Sequence, residues 1–477
     1  TWRRAREARD EPSGRGPRGW YLSAPQAPAP PLKIAILGAG VSGMALARFL
    51  VEAGIDQDSI HLFESAPVAG GLCRSKRVGE FTYDVAGGHI LFSKDAEAMA
   101  WMKEQAGGED AFVKRDRNTK IRFGENWVHY PFENGLGDLP DAARFECVSG
   151  YVKAWHERMG PDGATPVTDA PGDFASWIRW RFGDGIAEHF MDPYNEKIWK
   201  RPLGDITSEW VAGRVPDAPV DDVLKSAIGI RTEGYTHQSI FFYPKEGGFQ
   251  AITDGLAARL EDRIRLSTPV QHVAKKGDGF VVNGEDFDQV VSTLPLDLAP
   301  SIVEGLDDGA AEAMRTLEYN AVTCVLVALD RPEQPDLSWI YLPHAEQGPA
   351  NRVTYMSNYS PGNAPEGQTS LMAEITSNGR GEAPGPEIAD ETVEGLVKAG
   401  LCHREEVLFT DLSTSSHAYV VYDHGFAKKR QAALDGLAAL GIVTLGRFGR
   451  YEYDNSDQCV IKARALAAEL APQWKQG

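Results

Sequence analysis

The stretch Asp84 to Ser93, DVAGGHILFS, sets one imidazole between a glycine pair and an apolar run. Histidine changes charge nearest neutral pH, so His89 could move a proton or answer a group whose protonation varies. A histidine on an apolar segment is also a common core residue with both nitrogens hydrogen-bonded, and the stretch alone leaves both readings open. A second stretch is more specific. In LKIAILGAGVSGMALARFLVEAG, an apolar run enters Gly38-Ala39-Gly40-Val41-Ser42-Gly43 and continues with apolar residues at helical spacing. Gly38 permits a tight turn, Gly40 lets backbone approach a pyrophosphate, and Gly43 lets the helix pack on the strand, while the helix N-terminus offers N–H groups to an anion. Glu64 closes the apolar run IHLFES about 20 residues further on, where an acid can take ribose hydroxyls. Together these residues predict a dinucleotide site.

A strand, a glycine turn, a helix and a second strand must hold that site. Just after Glu64 comes APVAGGLCRS, with Gly70-Gly71, Leu72 and Arg74. A second glycine turn beyond the ribose acid favours FAD over a nicotinamide dinucleotide, and places Gly71 and Leu72 at the cofactor. The stretch LSTPVQHVAKKGDGFVVNGEDFDQVVSTLP has the short strands and tight turns of a meander, with Val270 set to meet the adenine end. Near the C-terminus, LGRFGRYEYDNSDQCVIKARALAAEL reads strand, loop, helix and brings a second helix N-terminus to the flavin. Gly446, Arg447, Tyr451 and Asn455 there are cofactor-binding candidates, with Gly88 from the His89 stretch. The expected fold is α/β: a Rossmann-like FAD domain of the glutathione-reductase type, a helical domain covering the nucleotide, and an antiparallel sheet domain. The FAD domain is assigned to 32–110, 230–300 and 435–470, the helical domain to 140–225, and the sheet domain to 111–139 and 301–434. NAVTCVLVAL, WIYLP, RVTYMSNYS and SLMAEIT supply strands of that sheet.

The chain has 477 residues, enough for two or three domains, and a formal charge of −19. Residues 1–31 carry six arginines against three acids and read as a disordered basic, Pro-rich leader, so the rest is more acidic still. That balance argues against nucleic acid as a partner, and an anionic ligand would need a local cluster of arginines. Five widely spaced cysteines, with no pair at metal-ligand spacing, predict no structural metal and a reducing, cytoplasmic setting. No apolar run is long enough to span a bilayer, and the leader has no apolar centre of the signal-peptide kind.

From Lys33 to Leu466 the sequence resembles the FAD-dependent UDP-galactopyranose mutases, the eukaryotic-type branch most, within the amine-oxidase-like flavoproteins. The resemblance lies in GGHILFS, WVHYPFEN, GIAEHFMDPYNEKIW followed by WVAGRVP, NRVTYMSNYSP, YDHGF and GRFGRYEYDN, in that order. It implies an isomerase that interconverts pyranose and furanose forms of a UDP-sugar, with reduced FAD as the active form and a flavin N5–sugar adduct on the path. A nicotinamide cofactor or another reductant would supply the electrons. A role in galactofuranose and cell-wall polysaccharide biosynthesis follows from the same resemblance, which leaves a homo-oligomer open.

By the matched motifs, His89 lies on the flavin face near N5, with Gly87 and Gly88 giving the backbone room to approach the ring. Arg214 and Arg352 match the pair that holds the diphosphate, a role suited to planar forks in so acidic a chain, although either alone could be an ordinary ion pair. Tyr359 and Tyr451 match hydroxyl donors to the same phosphates. Tyr130, Phe190, Tyr194 and Asn195 are expected around the uracil and ribose, and Arg117, Trp199 and Trp339 complete the substrate set. Two positions depart from the family pattern. Glu133 stands where the related enzymes carry an amide, and Phe426 where a tyrosine usually touches phosphate. Two other classes remain open on the residues: an FAD-dependent oxidoreductase of the amine-oxidase or protoporphyrinogen-oxidase type, and a non-catalytic flavoprotein.

Overall fold

In a computed structural model, the described residues are 32–475 apart from 162, 164, 212–213, 216–218 and 233–238. The leader assigned to 1–31 lies outside them. The run Ile34–Leu37 forms a strand buried on both faces, as a continuous apolar run in a parallel sheet should. It is the middle of five parallel strands, ordered Val443–Thr444, Gln289–Ser292, Ile34–Leu37, Ile60–Phe63 and Ile264–Arg265. Ile34 stands opposite Gln289 on one side and Ile60 on the other. The helices Val41–Glu52 and Ser456–Trp474 pack together beside it, sharing a core with Ile34, Ile36, Met44, Val460 and Ala463. Val273–Lys276, Gly279–Val282 and Glu285–Phe287 form the antiparallel meander that precedes the strand Gln289–Ser292.

A second sheet of seven strands is the floor of the molecule. Its order is Val407–Val420, Tyr319–Leu329, Thr369–Asn378, Arg352–Tyr355, Trp339–Tyr341, Thr119–Phe123, Asn126–His129, with every pairing antiparallel except Trp339–Tyr341 on Thr119–Phe123. Tyr319–Leu329 is buried throughout because both faces are covered. Val322, Cys324, Leu326 and Ala328 point to the core shared with the parallel sheet, while Val325, Val327 and Leu329 point to a separate core under the helix Ile388–Lys398. The strand Phe112–Asp116 departs from the sequence reading: it pairs with Ile240–Pro244 in a separate two-stranded sheet instead of joining the floor.

Helices Asp141–Arg158, Phe174–Ile186, Asp192–Trp199 and Val220–Ala227 gather around a third core that includes Phe132, Cys147, Phe182, Ile186 and Phe190. Among the described residues no helix is long and apolar enough to cross a membrane.

Candidate active site

The glycine turn after Ile34–Leu37 opens into a cleft of about 820 Å³. Gly43 is fixed by packing, since a methyl there would sit 2.2 Å from Gly38 O. Gly40 caps the helix Val41–Glu52 and faces Gly71 across the second glycine turn, with Gly70 N–H donating to Ala39 O at 2.9 Å. The carboxylate of Glu64 accepts from Ala39 N–H at 3.0 Å and from Ala66 N–H at 2.9 Å, so the acid also braces the turn it borders. Gly38, Gly40, Glu64, Gly71 and Leu72 line the cleft, as do Gly446, Arg447 and Asn455 at the start of the helix Ser456–Trp474. Two helix N-termini thus border one groove whose glycines leave it open, an arrangement that fits a dinucleotide pyrophosphate.

The His89 loop is held from below at three consecutive backbone amides. Gly87 N–H donates to Cys324 Sγ at 3.1 Å, Gly88 N–H to Glu374 Oε1 at 3.1 Å, and His89 N–H to Asp84 Oδ2 at 3.1 Å. A methyl on Gly88 would lie 2.7 Å from Thr354 Oγ1, and one on Gly87 3.1 Å from Glu374 Oε2. These glycines therefore admit the sheet floor, a different reason from the approach to a ring expected from the sequence. The His89 ring stacks on Phe249 at 5.1 Å, and its buried Nδ1 has no hydrogen-bond partner among the described residues. Burial holds its pKa below the ordinary histidine value, so the ring is neutral at neutral pH. Asp84 is wholly buried and also accepts from Ser75 Oγ at 2.7 Å and Tyr243 Oη at 2.9 Å, while burial raises its pKa.

Beyond this loop the cleft is cationic and aromatic. Arg117, Arg214 and Arg352 line it together with Tyr130, Trp339 and Tyr359. Arg214 lies over the Tyr453 ring at 4.1 Å and donates to Tyr453 O at 2.5 Å. Arg352 donates to Glu374 from Nε at 2.6 Å and Nη2 at 2.8 Å. Burial raises the pKa of the Tyr341, Tyr359 and Tyr419 hydroxyls, so each remains an O–H donor at neutral pH. The indole N–H of Trp210 is buried with no hydrogen-bond partner among the described residues, and an occupant of the cleft could satisfy it.

Several residues picked from the sequence stand elsewhere. Tyr451 is buried in a left-handed conformation, φ 51°, and its hydroxyl donates to Asp297 Oδ1 at 2.7 Å, away from the cleft wall. Tyr453, two residues on, faces the cleft instead. Phe190 is core, stacked between Phe132 at 4.8 Å and Tyr194 at 5.3 Å. Tyr194 is partly buried behind the wall and meets Tyr341 edge-on at 5.0 Å. Asn195 spends its amide N–H on Met191 O at 2.7 Å, and Trp199 packs against Trp210 at 5.0 Å. Val270 is partly buried beside the meander core and does not line the cleft. Phe426 opens the helix Phe426–Ala439 against Tyr422 at 4.6 Å and is not among the described residues that line the cleft.

Sequence reasoning passed over Glu374, Asp84, Tyr341, Tyr419 and Tyr453. The acid in the apolar strand SLMAEIT was a signal for Glu374, because a carboxylate buried in a sheet needs a cationic partner. Among the described residues no group of His, Cys, Asp or Glu could hold a metal, and all five cysteines are buried and unpaired.

The family model for flavin containing amine oxidoreductase matches residues 41–438. The fold is similar to a crystal structure of reduced UDP-galactopyranose mutase, with a TM-score of 0.84 and 25% identity over 93% of this chain and 96% of that one. In sequence, the chain is 24% identical over 315 residues to coproporphyrinogen III oxidase of Mycobacterium tuberculosis, covering 63% of this chain and 67% of the relative. It is 22% identical over 415 residues to chloroplastic protoporphyrinogen oxidase 1 of Spinacia oleracea, covering 77% and 69%.

Proposed function

The chain belongs to the flavin containing amine oxidoreductase family, and within that family we propose that it is a sugar-nucleotide mutase, interconverting pyranose and furanose forms of a UDP-sugar. The observation that carries this reading is the charge arrangement of the cleft. Among the described residues the acids lining it, Glu64 and Asp457, stand at the dinucleotide turns, and the other end presents Arg117, Arg214 and Arg352 with tyrosines between them. Such an end repels an amine cation and suits the diphosphate of a nucleotide sugar. The 25% identity and full-length likeness to the reduced mutase agree with it.

A flavin dinucleotide fits the groove of Gly38, Gly40, Glu64, Gly71, Gly446 and Arg447. A reduced flavin supplies nucleophilic catalysis at the anomeric carbon with no net change in its own oxidation state. The protein's part is binding and electrostatics. Arg214 and Arg352 offset charge that builds on the diphosphate as the anomeric C–O bond breaks, and Glu374 fixes the Arg352 fork before substrate arrives. Tyrosine hydroxyls of Tyr341, Tyr359 and Tyr419 donate to the same anion. The neutral His89 ring can accept a hydrogen bond at the flavin face, where a cationic ring could only donate.

A second reading rests on the sequence relatives, which are porphyrinogen oxidases. The same arginines could take carboxylates of a tetrapyrrole. Incubating dithionite-reduced, FAD-loaded protein with a panel of sugar nucleotides, and following ring form by NMR, tests the mutase. Isomerisation of a UDP-sugar supports it. Inertness toward the panel, with oxygen-dependent oxidation of a porphyrinogen, would put the oxidase in its place.

A further inference from the structure

The helix Asp192–Trp199 is fastened to the floor sheet at two places. At its C-terminus, the amide of Asn320, from the strand Tyr319–Leu329, donates to Ile198 O at 2.8 Å and Trp199 O at 2.9 Å. The second fastening is an ammonium group. Lys197 reaches into the loop 342–351, which joins the strands Trp339–Tyr341 and Arg352–Tyr355. Its Nζ donates to Leu342 O at 2.9 Å, His344 O at 2.9 Å and Ala350 O at 2.8 Å. Leu342 and Ala350 are buried on opposite arms of the loop, so the ammonium spans its mouth.

Three carbonyl oxygens turned to one point repel each other and are costly to bury unless a donor stands between them. An ammonium has one N–H for each, whereas a neutral amine has only two. Burial and the nearby Lys200 lower the Lys197 pKa to about 7, so the form that satisfies all three carbonyls prevails below that value. Both ends of the loop carry cleft residues. Tyr341 immediately precedes Leu342, and Arg352 follows Ala350 by two positions. The two stand opposite each other in the sheet register, and Leu342 N–H donates to Asn351 O at 3.0 Å where the loop opens. Tyr194, three residues before Lys197 on the same helix, meets Tyr341 edge-on at 5.0 Å. The far side of the loop is tied separately, with Gln347 Nε2 donating to Arg122 O at 2.7 Å.

We infer that Lys197 is a positioning residue: by closing the mouth of the loop 342–351 it fixes the strand end from which Arg352 reaches the cleft. Glu374 orients the Arg352 guanidinium, and Lys197 sets the backbone that carries it. Lys197 is not among the described residues that line the cleft, so it acts through the loop. The consequence for ligand binding rests on the reading of Arg352 as a diphosphate clamp, where a small misplacement of the fork costs affinity.

The test uses FAD-loaded Lys197→Ala near pH 6, below the lysine's pKa of about 7. Propylammonium is the piece of side chain this variant lacks, so the cation can be returned from solution. Amide exchange across residues 339–355 should be at least about fivefold faster in the variant, and should slow again with propylammonium. Tetramethylammonium carries the charge without an N–H and should not restore it. UDP affinity by calorimetry should fall at least about tenfold and recover with the same selectivity, while FAD content stays unchanged. Unchanged exchange, unchanged UDP affinity, or equal recovery with tetramethylammonium overturns the inference. If Lys197→Ala does not fold, Lys197→Arg keeps a cation whose planar fork cannot aim three N–H groups at three converging carbonyls. The same loss of UDP affinity is expected there, and parental affinity overturns the inference. If the parent protein binds no UDP, the mutase reading fails, while the exchange measurement still decides whether Lys197 fixes the Arg352 strand.

Discussion

Arg352 reaches Glu374 through two parallel contacts, 2.6 Å from Nε and 2.8 Å from Nη2, and Glu374 is shut off from solvent. The same carboxylate takes the Gly88 N–H at 3.1 Å, so one buried acid ties the proposed phosphate clamp to the loop carrying His89. Glu374→Gln should therefore lower stability by about 3 kcal/mol, the low end for breaking a buried pair whose cation still reaches water. UDP affinity should fall about tenfold with it as the fork loses its fixed orientation. Urea unfolding and calorimetry check both. A change below about 1 kcal/mol would mean that the pair does not hold the arginine.

Glu133 gives a pH prediction. Burial pushes its carboxyl from the ordinary 4.5 up to about 7, and its Oε1 has no partner among the described residues. The folded state favours the protonated acid, so its contribution is complete below the unfolded value and is lost as pH rises through about 7. Glu133→Gln removes that loss. The variant should be more stable than the parent by about 2–3 kcal/mol near pH 8 and no more stable near pH 4. Equal melting temperatures at both pH values would contradict the buried acid.

The two glycines of the first turn should fail differently. Gly40 has ordinary helix-capping geometry, φ −75°, and a methyl there meets nothing closer than Gly71 Cα at 3.8 Å. Gly40→Ala should change the stability of flavin-free protein by less than about 1 kcal/mol while flavin retention falls, because the methyl occupies the groove. Gly43→Ala drives a methyl to 2.2 Å from Gly38 O and should damage the fold itself. Thermal unfolding with and without FAD separates them. Flavin retained by Gly40→Ala would move the pyrophosphate elsewhere.

Much of this architecture could be read before any coordinates because its signals are local. The apolar run IAIL, the glycine turn and Glu64 lie within one strand–helix–strand unit, where spacing alone sets the geometry. The substrate end is assembled from residues far apart in sequence, and there the reading was weaker. Tyr451 and Tyr453 look equivalent in GRYEYDN, but a positive φ at Tyr451 turns its ring inward to Asp297 and leaves the cleft to Tyr453. Phe190 and Asn195 sit on helices where one face is core, and helical spacing did not tell which face met the ligand. Glu374 and Asp84 escaped because their roles come from partners on other strands, Arg352 for Glu374 and Ser75 and Tyr243 for Asp84.

The tyrosine pair yields its own test. Tyr451→Phe removes a hydrogen bond to Asp297 and should lower stability by about 1–2 kcal/mol with UDP affinity unchanged. Tyr453→Ala removes the ring beneath Arg214 and should weaken UDP binding by about 1 kcal/mol or more. The opposite pattern would return the ligand contact to Tyr451.

The central claim is that the cleft runs a redox-neutral isomerisation, and the measurement that bears on it most directly is turnover against flavin oxidation state. Anaerobic protein reduced once with a single equivalent of dithionite should isomerise a UDP-sugar over many cycles, consume no further reductant, and stop when the flavin is reoxidised. Isomerisation by the oxidised protein, or consumption of one equivalent of reductant or oxygen for each substrate converted, would contradict it.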